Sequence, residues 1–424
     1  MPNQDAPMRP GTAEEITVDF DHHRPTFAVN PDHVDAELRH TCPVAWTEAH
    51  GGFWVLSRYE DVEALIRNSG AFSTSGGNTI PAPPYASAIM INSDPPVHTK
   101  WRRAMNETVS RAIVMNKLQT RVDYWTDLFI DRVIEKGRGD FVYDIAVPIP
   151  TAVAMEWLGW DSIDEWWEFG LAWHDLMAAH LGTERYNRAS ELIMKFDEAI
   201  ARHVVARRAQ PRDDTISHIA NLTFDGEQPT VEDCVGLIRI LVGAGVDTTT
   251  SLISSAIVHL HFYPEDRLKL VENPEMWPLA TEEFLRRYPP IRSLVRICTK
   301  ETEIAGHAIR PGERVLSLVS SANQDMREFS QPLDFNPKRM PNKHLSFGAG
   351  IHQCLGMHLA RAEFQTVMKR LIQRMPDLTV LDEGLLPYTR QSTVSGWAAV
   401  PISFTHGERL MPEDKTAETY EGRH

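Results

Sequence analysis

The residues best suited to chemistry lie between Leu345 and Gly356, where Leu-Ser-Phe-Gly-Ala-Gly-Ile-His-Gln-Cys-Leu-Gly runs into an apolar-periodic segment over 357–371. Cys354 stands at the foot of that expected helix, in a loop loosened by Gly348, Gly350 and Gly356. A thiolate there is stabilised by the positive end of the helix dipole and by free loop N–H groups, because glycine lets main chain approach a ligand closely. It makes a good ligand for iron. A buried structural cysteine beside a turn is the plainer meaning of one thiol taken alone. The spacing argues for the ligand: Phe347, Gly350, Cys354 and Gly356 in this order arise by chance in roughly one chain in two thousand of this composition.

Together with His352, these residues closely resemble the haem-binding loop of the cytochrome P450 family. The resemblance covers roughly Phe20 to Phe404. It implies one cytochrome P450-like domain and a haem b, iron protoporphyrin IX, with Cys354 as its axial metal ligand and Phe347, Gly348, His352 and Gly356 around it.

Other elements have to position such a site. The longest apolar segment, 231–262, is interrupted by Arg239 and Asp247 and carries Gly243 and Gly245, so it reads as a long buried helix rather than a membrane span. Leu241, Ala244, Gly245, Thr248 and Leu252 share one face of it. The face is small in its middle and leaves room beside a flat cofactor. A contact between helices through small residues, with Thr248 bonded back to its own helix, is the other meaning of such a face. Asp247-Thr248 resembles the family's oxygen-activation pair, which implies that both are catalytic. Heterolytic splitting of dioxygen takes two protons at the distal oxygen; Thr248 would hold the oxygen and its water, and Asp247 would relay protons from solvent.

Glu283-Phe-Leu-Arg286 is weak by itself, since the spacing is expected about twice by chance and an exposed i,i+3 pair is its ordinary meaning. The resemblance makes it a buried charge network of structural role, completed by Arg339. It likewise implies that His98, Arg102, Arg296 and His352 bind the haem propionates, charge-assisted partners for two carboxylates. His98 and Arg102 share a helix face at i and i+4. By family position Leu241, Ala244, Ile291, Arg292, Leu294 and Val394 wall the substrate cavity, with 72–91, 171–181 and 392–394 nearby. Most are apolar, which suits a hydrophobic small molecule of terpenoid, aromatic, steroid or fatty-acid type. Arg292 departs from that pattern. It either meets a substrate carboxylate or turns to solvent or a neighbouring acid.

A net charge of −15 over 424 residues argues against nucleic acid as a main partner. The four cysteines, Cys42, Cys234, Cys298 and Cys354, form no close pairs, so no zinc site or disulfide framework is indicated and a reducing, cytoplasmic setting is expected. Met1 to Asp19 shows no signal-peptide core and no membrane anchor. Helical periodicity dominates, with strands expected at 44–47, 53–57, 304–309, 314–318 and near 378–381 and 398–404. Asp94 reads as an N-cap before Pro95-Pro96, and 207–214 as a linker. The expected organisation is a flexible tail over 1–19, one mainly α domain with a small β portion over 20–406, and a flexible tail over 407–424.

The function so implied is a monooxygenase using O2 and electrons from a ferredoxin or flavodoxin-type donor with its reductase. Lys100, Arg103, Arg111, Lys117, Lys343 and Arg361 are candidates for docking that donor. A peroxide-using haem-thiolate peroxygenase is the alternative within the class, though it does not need Asp247-Thr248. A haem-based sensor without turnover is the alternative outside it.

Overall fold

The computed structural model describes residues 16–24, 27, 31–81, 89–160, 163–180, 182–388 and 393–411. Its longer helices are α1 (Pro31–Thr41), α2 (Tyr59–Arg67), α3 (Val97–Asn106), α4 (Gln119–Ile134), α5 (Pro148–Leu158), α6 (Ile163–Ala178), α7 (Glu184–Ala209), α8 (Val231–Phe262), α9 (Pro264–Glu272), α10 (Trp277–Arg287) and α11 (Met357–Arg374). Helix makes up 53% of the described residues.

Helix α8 runs through the middle. Thr230 and Asp233 start it with a reciprocal capping box: the Thr230 hydroxyl accepts from Asp233 N at 3.0 Å and the Asp233 carboxylate from Thr230 N at 3.1 Å. It is long and apolar enough to cross a membrane, but 61% of its most apolar stretch is buried inside this fold. Leu237, Ile238, Ile253 and Ile257 join Phe129 and Val133 of α4, Met155 of α5, Ile200 of α7, Phe284 of α10 and Phe364 of α11 in the main core.

The strands are β1 (Val44–Thr47), β2 (Phe53–Leu56), β3 (Phe72–Ser73), β4 (Arg138–Asp140), β5 (Ser293–Cys298), β6 (Thr302–Ile304), β7 (His307–Ile309), β8 (Arg314–Leu318), β9 (Thr379–Val380), β10 (Leu386–Pro387), β11 (Trp397–Ala399) and β12 (Pro401–Ser403). Five form one sheet in the order β1-β2-β8-β5-β3, in which β2 and β8 pair in parallel, Trp54 opposite Val315, and the other neighbours are antiparallel. The sheet packs with Val62, Leu65 and Ile66 of α2 in a second core that includes Leu345 and Ala349 of the cysteine loop.

Several local expectations change. Asp94 does not cap α3: its carboxylate accepts from Thr74 N at 3.1 Å and from the Ser73 hydroxyl, while its carbonyl accepts from His98 N at 3.0 Å. Prolines at 95 and 96 have no N–H to offer a capping side chain. The stretch 207–214 is not a linker, because Arg207 is 3% exposed and donates to Asp214 Oδ2 at 2.6 Å and to Gly159 O at 2.9 Å. Both tail boundaries move. Ile16 and Val18 exchange backbone hydrogen bonds with Trp46, and Leu410 N and Met411 N donate to the buried Asp131. Residues 1–15 and 412–424, with 82–88, Leu181 and Ser392 of the expected cavity wall, lie outside the described residues.

Candidate active site

The cysteine loop is pinned twice at its start, before Cys354 is reached. Asn323 Oδ1 accepts from Leu345 N at 2.8 Å, and the Ser346 hydroxyl donates to Leu285 O, on α10, at 2.6 Å. Cys354 N then donates to Phe347 O at 2.8 Å, closing the loop on itself. Gly350 has φ +68° and lies against α2, where a Cβ would meet Arg67 Cα and Ile66 O at 3.2 Å, so no other residue fits without displacing backbone. The Phe347 ring lies under the Arg361 guanidinium at 4.5 Å. Burial pushes the Cys354 thiol up, while the Gly356 backbone, Arg102 and Arg361 pull it down. These are the groups that stabilise a thiolate.

Beneath the loop is the expected charge network. Glu283 and Arg286 are wholly buried and joined by two bonds, Nε to Oε2 at 2.9 Å and Nη2 to Oε1 at 2.8 Å. Arg339 Nε donates to Glu283 Oε2 at 3.0 Å. Asn336 N and Asn342 Nδ2 add 2.9 and 3.1 Å bonds to the same carboxylate, and Arg286 also caps Asn323 O and Pro332 O. The network thereby holds Asn323, whose side chain holds the loop.

His98, Arg102, Arg296 and His352 come together. The His98 and His352 rings stand 4.3 Å apart. Arg102 Nε bonds Asn106 Oδ1 at 3.0 Å and its Nη1 donates to Gln353 O at 2.5 Å. Arg296 is 5% exposed, and its Nη1 donates to Val295 O at 2.8 Å. Burial, His98 and Arg296 push His352 down to about 3, and burial with Arg102 lowers His98; Asp94 opposes both. Neither ring nitrogen of the buried His98 has a hydrogen-bond partner among the described residues. Such a cluster is short of carboxylates, and two propionates fit it.

On α8 the small face is real but shorter than its periodicity predicts. Ala244 and Gly245 are exposed in the middle of a buried helix, Leu241 and Thr248 are half-buried, and Leu252 is enclosed in the main core. A Cβ at Gly245 would meet nothing within 4 Å, so that face borders open space. Gly243, by contrast, lies under the Trp173 ring of α6, 3.0 Å from where a Cβ would stand. The Thr248 hydroxyl donates to Ala244 O at 2.6 Å, the back-bonded arrangement, which leaves its lone pairs free to accept. Asp247 is 3% exposed; sequence reasoning missed its partners, Tyr388 and His174.

The cavity-wall residues separate. Ile291 and Val394 pair across a short bridge, reinforced by Arg292 N to Thr393 O at 2.7 Å, and both are half-buried. Leu294 packs on the second core. Arg292 leaves the cavity wall and takes the neighbouring-acid alternative: its guanidinium is buried against α1, 2.9 Å from Asp35 Oδ2 and 3.7 Å from Asp32 Oδ1. A buried cation takes the nearest fixed carboxylates, and α1, absent from the sequence expectation, supplies them. Of the six basic surface candidates, Lys100 pairs with Asp225, Lys343 with Glu328 and Arg361 with Glu282. Arg103, Arg111 and Lys117 are exposed, and the 109–118 segment packs on Leu355 and Leu359 beside Cys354.

Comparison with known proteins follows the same lines. A family model described as Cytochrome P450 matches residues 163–379. The steroid C26-monooxygenase of Mycobacterium tuberculosis is 33% identical over 359 residues, 84% of this chain and 95% of its own. Among solved structures, CYP109E1 from Bacillus megaterium in complex with corticosterone aligns with a TM-score of 0.79 at 28% identity, covering 90% of this chain and 100% of its own. CYP268A2 of Mycobacterium marinum in complex with pseudoionone aligns with a TM-score of 0.85 at 26% identity, covering 94% and 100%.

Proposed function

The chain belongs to the cytochrome P450 family of haem-thiolate monooxygenases that act on hydrophobic substrates, and on that premise we propose that haem b would be held between α8 and the cysteine loop, with the Cys354 thiolate as the group that would ligate its iron. The observation that carries this reading is the cluster of two arginines, Arg102 and Arg296, with His98 and His352, in which the buried His98 nitrogens have no partner among the described residues. Propionates complete it. Phe347, Gly348 and Gly356 would shape the loop that holds the haem, and Ala244 and Gly245 would leave room for it on α8. When bound, the haem supplies oxygen activation, to which thiolate ligation contributes electron density.

This chain's own residues then manage protons and water. Thr248, its hydroxyl hydrogen committed to Ala244 O, accepts a hydrogen bond from a proton-bearing oxygen above that face. Asp247, one residue earlier and buried, carries protons through an apolar wall that has none to give. Glu283, Arg286 and Arg339 keep the loop in place and take no part in proton movement. Leu241, Ala244, Ile291, Leu294 and Val394 form the apolar wall of a cavity for a steroid- or terpenoid-sized molecule. Support for that class comes from the relatives named above and from the lining. Arg103, Arg111 and Lys117 beside the cysteine helix support docking of an acidic ferredoxin or flavodoxin-type donor, served by its own reductase. The four free cysteines are in keeping with a cytoplasmic location.

The deciding experiment is the spectrum of the reduced protein under carbon monoxide. A strongly red-shifted Soret band that disappears in Cys354→His supports thiolate ligation; an unshifted band in freshly purified, haem-loaded protein overturns it. Titration with steroids, terpenes and fatty acids, read as a low-spin to high-spin change, then ranks the substrate classes.

A further inference from the structure

Asp247 is held from behind by two buried groups on different elements. Tyr388, which follows β10, donates its phenol hydrogen to Asp247 Oδ1 at 2.6 Å. His174 Nδ1, on α6, stands 3.1 Å from the same phenol oxygen and 3.4 Å from the same carboxylate oxygen. Exposure is 1% at Tyr388, 0% at His174 and 3% at Asp247, so the triangle is sealed from bulk water. Asp247 Oδ2 and His174 Nε2 have no hydrogen-bond partner among the described residues. Burial first, and then Asp247, raise Tyr388 well above the ordinary phenol range, so it stays a donor.

The surroundings of His174 connect it outward. The Tyr143 ring meets it edge-on at 5.4 Å. The Tyr143 hydroxyl bonds Asp175 Oδ1 at 3.2 Å and is also bonded by Arg185 of α7, whose side chain is 39% exposed. The titratable and charged groups around His174 are therefore Asp247 from α8, Tyr388 from the β10 end, Tyr143 from the 142–146 turn, Asp175 from α6 and Arg185 from α7. A buried carboxylate that must carry protons needs a neighbour able to return them. An imidazole can hold a proton on either ring nitrogen and hand it on to an oxygen within reach.

We propose that His174 is the proton store from which Asp247 is reloaded, and that Tyr388 is a positioning residue fixing the two groups against each other. This rests on the reading of Asp247 as a proton carrier. In the step, the Nδ1–H bond of the His174 imidazolium breaks, an O–H bond forms on Asp247 Oδ1, and the imidazole is left neutral. Asp247 then passes that proton on, and His174 regains one from a solvent water admitted past the partly exposed Arg185, which itself stays protonated. No electron moves.

The test uses the haem-loaded protein and three variants, Asp247→Asn, His174→Asn and Tyr388→Phe. His174→Asn keeps an N–H near the Nδ1 position but cannot titrate. Two readouts separate a proton store from a structural tie: the kinetic solvent isotope effect on product formation, and the pH response of the Asp247 carboxyl band in infrared difference spectra, identified by its loss in Asp247→Asn. His174→Asn is expected to keep the carbon monoxide spectrum, to slow coupled product formation roughly 10- to 100-fold, the worth of one charge-assisted hydrogen bond, to raise the isotope effect and to abolish the band's pH response. A wild-type isotope effect with an intact pH response overturns the proposal. If His174→Asn fails to bind haem, Tyr388→Phe carries the test: a weakened pH response supports the proposal and an unchanged one overturns it. Asp247→Asn at wild-type product yield overturns the carrier reading and the proposal with it. Impaired Asp247→Asn beside normal His174→Asn overturns the proposal alone.

Discussion

Arg292 Nη2 lies 2.9 Å from Asp35 Oδ2, and so the entrance to β5 is tied to α1 across most of the chain. Ser320 donates to the same oxygen at 2.6 Å, and Arg287 meets Asp32 at 2.9 Å one turn away on α1. Burial raises the Asp35 carboxyl in spite of Arg292, whereas at Asp32 the opposing pull of Arg287 and Arg292 outweighs burial. Arg292→Met should leave Asp35 buried without its cation and lower stability by about 3 to 5 kcal/mol, read from the midpoint of denaturant unfolding. The affinity ratio between a carboxylic acid and its methyl ester should be the same in both proteins. A loss of preference for the acid would return Arg292 to the substrate.

Glu283→Ala strands two buried guanidiniums at once. The expected cost is again about 3 to 5 kcal/mol, with a second consequence specific to this network: Arg286 loses its orientation toward Asn323 O, and the loop loses its anchor. Haem per polypeptide should fall together with the unfolding midpoint. Full haem content at wild-type stability would contradict the structural role.

Thr248→Ala removes the hydroxyl and leaves the open face of α8 in place. Haem binding and reduction should be normal, while product per reductant falls by roughly tenfold, about one hydrogen bond to a charged group, and hydrogen peroxide rises to match. Thr248→Ser should recover most of the yield. Measured yields that do not separate Ala from Ser would show that the hydroxyl serves only its own helix.

Burial lifts the Glu363 carboxyl to about 8 against the pull of the Thr249 hydroxyl. Its unfolded value is near 4.5. Between these the fold keeps a proton that the unfolded chain has released, so this group's contribution is complete below the lower value and is lost as pH rises through the upper one. Glu363→Gln should remove that slope and gain on the parent with rising pH, by about 5 kcal/mol at most. Urea unfolding of both proteins across this range checks it: a stability difference that stays constant with pH would refute the assignment.

What could be read in advance divides by the range of the signal. Helix α8 and the cysteine loop are written in contiguous residues, through a long, mostly apolar run in one and four fixed positions in the other. Glu283 and Arg286 are legible for the same reason, being neighbours on one helix turn. Tyr388 and His174 are not, because they lie 141 and 73 positions from Asp247 and 214 from each other, and only the docking of α6 and the β10 end on α8 joins them. Arg292 fails differently. Alternation along an extended segment says that Ile291 and Arg292 face opposite ways, but not which way the acids of α1 will be. Leu252 was placed on the open face by correct periodicity; the core simply closes over the helix one turn earlier.

The parallel pairing of Trp54 with Val315 carries a cost in time during synthesis. The hairpin of β1 and β2 leaves the ribosome early, yet its hydrogen-bonding neighbour β8 emerges only after every helix through α10 has been made. Closing so long a loop is slow. The helices from α3 to α10 are therefore expected to assemble first, with the amino-terminal hairpin waiting as an unpaired edge until β8 arrives. A nascent chain arrested just before residue 314 should leave Phe53–Leu56 open to proteolysis while α8 is already protected.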